Sequence, residues 1–161
     1  MYDDALLEGI LKKTRTIAMV GASPKWVRPS NFAMKYLQGK GYKVIPVNPG
    51  QAGKEILGET VYTSLADIPG DIDMVDVFRS SDAAGDIVDE TIELAEAKNI
   101  SVLWMQLGVI NEAAAKRGED AGLTVIMDRC PKIEYARLFG ELGWGGINTG
   151  IISSKRPKLR A

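Results

Sequence analysis

Five short apolar runs, at 16–20, 43–48, 74–78, 101–106 and 124–127, constrain this chain more than any other feature. Each is rich in β-branched residues and nearly continuous in hydrophobicity. A strand with one wet face alternates apolar and polar residues. A run that is apolar at almost every position must be covered on both faces, as in a parallel sheet. Helical patterns fill the gaps. Residues 3–13 carry a stripe of Leu6, Leu7, Ile10 and Leu11 behind a capping Asp3. Residues 30–40, 82–97, 111–120 and 132–141 read as further helices, the one at 111–120 capped by Asn111. The order is helix, then β-α-β-loop-β-α-β-α-β-α, which makes the fold class α/β. Right-handed crossovers then favour a doubly wound, parallel, five-stranded sheet, with the expected order 3-2-1-4-5.

Two segments depart from this rhythm. Residues 49–73 hold Gly50, Gly53, Gly58, Pro69 and Gly70, so they read as a long connection with a short helix near 64–68. Residues 143–161 are Gly-rich and then basic, and are expected as a tail behind a single domain of residues 1–142. Exposed Trp144 is a candidate for an oligomer contact.

Composition closes most routes to catalysis. The chain has 161 residues and no histidine, so Ser-His-Asp and Cys-His chemistry, phosphohistidine and His-based metal sites are excluded. One cysteine, Cys130, can form neither an internal disulfide nor a thiolate zinc site, and a reducing cytoplasm is expected. No Asp cluster suggests a metal, and no catalytic residue is assigned. The net charge of −1 provides no field for nucleic acid or anionic membrane, and no apolar run is long enough to span a bilayer.

In an open α/β sheet, ligands sit beyond the carboxyl ends of the strands. The first such segment is Gly21, Ala22, Ser23 and Lys25, followed by Arg28 and Ser30. Gly21 permits a tight turn, Ala22 and Ser23 let a phosphate approach the backbone, and Lys25 and Arg28 add charge at a helix N-terminus. The pattern is not a dinucleotide fingerprint, because Ser23 and Trp26 stand where glycines would be needed. The acid that would hold an NAD ribose at the end of strand two is replaced by Asn48, with Pro49 after it as a stiff, donor-free corner. Strand three ends in Val77, Phe78 and Arg79, an aromatic surface beside a phosphate-matching fork. Strand four ends in Gln106, Leu107 and Gly108, where Gln106 can hydrogen-bond an amide. Strand five is followed by Asp128 and Arg129, read as pairing with neighbours, and by Cys130, read as a small buried apolar residue.

Taken together, G-A-S-P-K at 21–25, V-N-P at 47–49, D-V-F-R at 76–79, W-M-Q-L-G at 104–108 and D-R-C-P-K-I-E at 128–134 resemble the small, single-domain CoA-binding proteins. These are similar to the nucleotide-binding domain of succinyl-CoA synthetase α subunits. The resemblance implies a Rossmann-like fold binding coenzyme A across the strand ends. Gly21, Ala22, Ser23 and Lys25 would face the phosphates. Val47, Asn48 and Pro49, with Val77, Phe78 and Arg79, would surround the adenosine. Gln106, Leu107 and Gly108 would lie along the pantetheine arm. Ligase activity does not carry over, because this chain lacks the phosphorylated histidine and the further nucleotide-binding domains.

The first functional reading is therefore a CoA- or acyl-CoA-binding protein without catalytic machinery, accessory or regulatory in role, with a homo-oligomer possible. The alternative is an NAD(P)-binding oxidoreductase-like module, against which Asn48 and the missing glycines count. NADP is the stronger form of that alternative, since Arg79 or Lys54 could meet a 2′-phosphate.

Overall fold

Asp3 opens the first helix by accepting a hydrogen bond from Ala5 N at 2.9 Å, and α1 runs Asp4–Lys13. The computed structural model describes residues 2–140, so the expected tail, its boundary and Trp144 lie outside the described residues. Strand β1 (Thr16–Val20) leads to α2 (Pro29–Gly39) and β2 (Lys43–Val47). The connection after β2 carries two short 3-10 turns, Pro49–Gln51 and Leu65–Asp67, around a small hairpin of β3 (Glu55–Ile56) and β4 (Glu59–Thr60). Then follow β5 (Met74–Val77), α3 (Ser81–Lys98), β6 (Val102–Met105), α4 (Glu112–Asp120), β7 (Thr124–Ile126) and α5 (Pro131–Leu138). Ser80 and Asn111 cap α3 and α4 through their side-chain oxygens. Asn99 ends α3 in the left-handed conformation.

The main sheet has five parallel strands in the order β2-β1-β5-β6-β7. The doubly wound, Rossmann-like class is as expected. The place of the third long strand is not, because β5 lies beside β1 rather than outside β2, giving 2-1-3-4-5 instead of 3-2-1-4-5. The reason is in β2 itself. Lys43 N donates to Arg15 O and Val47 O accepts from Gly21 N, so these alternate residues face β1. Pro46 then faces outward, where its missing N–H cannot serve another strand, and proline in a sheet belongs at an edge. Tyr62 covers that edge, donating to Pro46 O at 3.1 Å and accepting from Asn48 N at 3.0 Å. The chain reverses direction across the sheet between β1 and β5, and that is where the crevice opens.

Both faces of the sheet are covered, as the near-continuous apolar strands require. On one face Ile17, Met19, Met74, Val102, Trp104 and Ile126 pack against α1, α2 and α5. On the other, Ala18, Ile45, Val75, Leu103 and Val125 pack against α3, α4 and the Leu65 turn. Among the described residues, no helix is long and apolar enough to cross a membrane.

Candidate functional site at the strand switch point

Gly21 ends β1 with a φ of +91°. A Cβ there would stand 2.4 Å from Phe78 O and 2.9 Å from Arg79 Cδ. The first and third loops are thus pressed together at the switch point, in a backbone conformation that glycine tolerates. Gly21 N donates to Val47 O at 2.9 Å, which pins the turn to β2 as well.

Beyond Gly21 the loop is knitted to the start of α2. Ser23 N donates to Ser30 Oγ at 3.1 Å, and Asn31 Nδ2 donates to Ser23 O at 3.0 Å. Ser23 Oγ accepts from Lys25 N at 3.2 Å, which leaves its own O–H free to donate. Helix α2 begins with Pro29 and has no side-chain cap at Arg28, so its positive end is open to an anion. A cleft of about 340 Å³ lies here, lined by Gly21, Ser23, Arg28, Pro29, Ser30 and Phe78. Lys25, Arg28 and Arg79 are exposed, and none makes a side-chain hydrogen bond or ion pair with a described residue. Arg28 lines this cleft, Lys25 stands on the same loop and Arg79 Cδ borders Gly21, so three uncommitted cations surround the turn, a setting that can bind a polyanion.

A second cleft, of about 220 Å³, opens on the α3 side. Val20, Val47, Leu65 and Ile87 line it with apolar surface, and Pro49 and Arg79 are also part of its lining. Thr63, Ser64, Asp86 and Glu90 add polar groups to this apolar wall, a mixed lining of the kind small-molecule clefts carry. Asn48 lines neither cleft directly. Its Nδ2 donates to Ala22 O at 2.9 Å and its Oδ1 accepts from Gly50 N at 2.9 Å. Ala22 and Val77 are buried in the core beneath the site, whereas Val47, also buried, reaches the wall of the second cleft.

At the end of β6, Gln106 is 9% exposed, Leu107 is exposed, and Gly108 turns with a φ of +85°. Asp128 Oδ1 accepts from Gly108 N at 2.7 Å, so Asp128 braces this turn. Arg129 donates to Asp128 O at 2.8 Å and lies 5.4 Å from the Tyr2 ring centroid, and so both residues are held by neighbours as expected. Cys130 is buried at the start of α5.

All the expected positions therefore gather along the carboxyl edge of the sheet. Asp76 is the acid of D-V-F-R, a residue whose type alone implies no role at the site. It sits inside β5 at 0% exposure, and burial pushes its carboxyl well above the ordinary carboxylate range. The signal available was an acid inside a strand apolar on both sides. A larger cleft of about 460 Å³, lined by Leu6, Gly9, Ile10 and Asp73 among others, lies at the opposite end of the strands. It shares no residue with this site. Among the described residues, no group of three His, Cys, Asp or Glu side chains is placed to hold a metal.

Known proteins bear on this geometry. The YneT protein of Bacillus subtilis strain 168 is 39% identical over 132 residues, which is 82% of this chain and 93% of that protein. The solved structure of a hypothetical protein from Pyrococcus horikoshii OT3 superimposes with a TM-score of 0.80 at 39% identity, covering 86% of this chain and 94% of the other. One from Thermus thermophilus gives 0.79 at 36% identity, covering 86% and 100%. A dinucleotide-forming acetyl-coenzyme A synthetase of Ca. Korarchaeum cryptofilum shares the fold at a TM-score of 0.56 and 21% identity, covering 70% of this chain and 26% of that one. The CoA binding domain profile matches residues 15–136. That match spans every strand of the sheet and every loop of the crevice, and the chain belongs to the CoA-binding domain family.

Proposed function

We propose that the protein binds coenzyme A or an acyl-CoA at the switch-point crevice, as a binding protein with an accessory or regulatory role rather than a catalyst. The observation that carries this is the trio of uncommitted cations, Lys25, Arg28 and Arg79, around the Gly21 turn and the uncapped start of α2. The pyrophosphate lies against Gly21, Ser23 and Lys25. The adenosine occupies the cleft bounded by Val47, Pro49 and Arg79. The pantetheine arm runs toward Gln106, Leu107 and Gly108. Family membership supports the ligand class.

An NAD(P) module is disfavoured by Asn48. Both polar atoms of its side chain are committed to the backbone, and no acid replaces it to hold a ribose diol. CoA carries a 3′-phosphate of about −1.5 to −2 charge, and in this reading the exposed Arg79 meets it. Calorimetry with CoA, dephospho-CoA and NAD at fixed salt tests the reading. The expected affinity order is CoA, dephospho-CoA, NAD, with the first step about tenfold. NAD binding more tightly than CoA would replace this reading with the oxidoreductase-like one.

A further inference from the structure

Three buried side-chain atoms among the described residues lack a hydrogen-bond partner: Asp76 Oδ1, Asp76 Oδ2 and Gln106 Oε1. They come from adjacent strands. Asp76 stands opposite Trp104 across β5 and β6, and Gln106 lies two residues beyond Trp104, with its N–H donating to Val77 O at 3.1 Å. Alternation places both side chains on the face covered by α2 and α5, as diagonal neighbours with backbones about 7–8 Å apart. Buried polar atoms are nearly always paired. Three orphans on one face of adjacent strands call for a common partner, and a direct bond or one bridging water would complete them as a single network.

The proton inventory gives that network a direction. The buried titratable side chains of the elements on this side are Tyr36 of α2, Lys40 at its C-terminal cap, Tyr42 after it, Cys130 before α5, and Glu134 and Tyr135 of α5; the buried residues of α1 are all apolar. Burial pushes the Asp76 carboxyl up, toward its neutral form. A neutral carboxyl brings one O–H donor, and Gln106 Oε1 is the acceptor left open beside it. The other end of the amide, Nε2, makes no hydrogen bond to a described residue and is not among the buried unpaired atoms.

We propose that Asp76 is a positioning residue that holds the Gln106 amide with Oε1 toward the sheet and Nε2 toward the crevice, so that the site recognises a ligand carbonyl. An ionised carboxylate would reverse the amide and present an acceptor instead. On the reading that CoA is the ligand, the group received is an amide or thioester carbonyl of the pantetheine arm.

The test uses the full chain with Asp76→Asn and Asp76→Val, read by CoA calorimetry and by the NMR signals of the Gln106 side-chain amide without ligand. Asparagine can still donate to Oε1, so D76N is expected within about twofold of wild type at neutral pH. D76V is expected to bind about tenfold more weakly. Raising the pH should weaken wild type relative to D76N. The Gln106 amide signals should match in wild type and D76N and move in D76V. Equal affinity in wild type and D76V, equal loss in D76N and D76V, or a wild-type to D76N ratio flat with pH would each overturn the proposal. Failure of wild type to bind CoA would instead sink the functional reading, and the amide signals would still decide the orientation.

Discussion

Asn48 Nδ2 donates to the Ala22 carbonyl at 2.9 Å, joining the end of β2 to the loop after β1. With Oδ1 accepting from Gly50 N, one side chain fixes two of the loops that bound the crevice. Asn48→Asp keeps the acceptor and loses the donor, leaving a carboxylate against a carbonyl. The expected cost to the ligand-free protein is about 1–3 kcal/mol. It should appear as a lower melting temperature before any ligand is added, with weaker CoA binding as well. An unchanged melting temperature would mean that the tie contributes little and that any affinity loss arises from charge alone. The same tie explains why the NAD-type acid cannot be installed here at no structural cost.

Gly21 is the tightest point of the site. A Cβ 2.4 Å from a backbone oxygen cannot be relieved by a rotamer change, and the positive φ adds strain. Gly21→Ala should destabilise the protein by about 2–4 kcal/mol. Gly21→Val should be worse, because its branched Cβ also blocks the approach of a phosphate. Urea unfolding of the two variants checks the order. A wild-type midpoint in Gly21→Ala would show that β1 and β5 can separate here without penalty.

The class of fold was legible because burial on both faces leaves its mark on every strand. The caps Asp3 and Asn111 and the 3-10 turn within 64–68 were legible for a local reason, since each depends on residues a few positions apart. The strand order was harder, because it depends on which edge of β2 is closed. Pro46 carried that information, yet its effect follows only once the facing of alternate residues is known. The β3–β4 hairpin was missed because its turn is Leu57-Gly58, both at positive φ, and leucine is not a residue that advertises such a turn. At the site, the glycine and the cations were readable from residue type alone. Asn48 reads from residue type as a ligand contact; that its amide also braces two loops follows only once the backbone groups it meets are known. Asp76 was visible as an acid in an apolar strand, but its lack of partners was not.

The exposed cations should separate affinity from stability. Lys25 makes no side-chain hydrogen bond or ion pair with a described residue, so Lys25→Ala should move the stability of the empty protein by less than about 0.5 kcal/mol. A charge-assisted bond to phosphate contributes about 1.5–3 kcal/mol, so CoA affinity should fall about tenfold or more. The effect should shrink as salt rises, because the site is open to solvent. Calorimetry at two salt concentrations, with a thermal melt of the same samples, checks all three statements. Unaltered affinity would remove this loop from the site.

Asp76 also sets a pH dependence that needs no ligand. Its carboxyl has the ordinary value near 3.8 when unfolded and a much higher one when buried. Between those values the folded state binds the extra proton, so stability falls as pH rises. The stabilisation of the protonated form is fully present below the unfolded value and is lost as pH climbs through the window toward the folded one. Inside the window the slope is about 1.4 kcal/mol per pH unit from this one group. Asp76→Asn removes the titration and keeps the shape. The stability of wild type minus that of D76N should therefore decline steadily from mildly acidic toward neutral pH and flatten once Asp76 ionises in the folded state. Urea titrations of both proteins across that range measure the difference directly. A difference that is flat with pH would mean that Asp76 ionises in the fold as readily as in the unfolded chain, and that its burial is compensated by a partner.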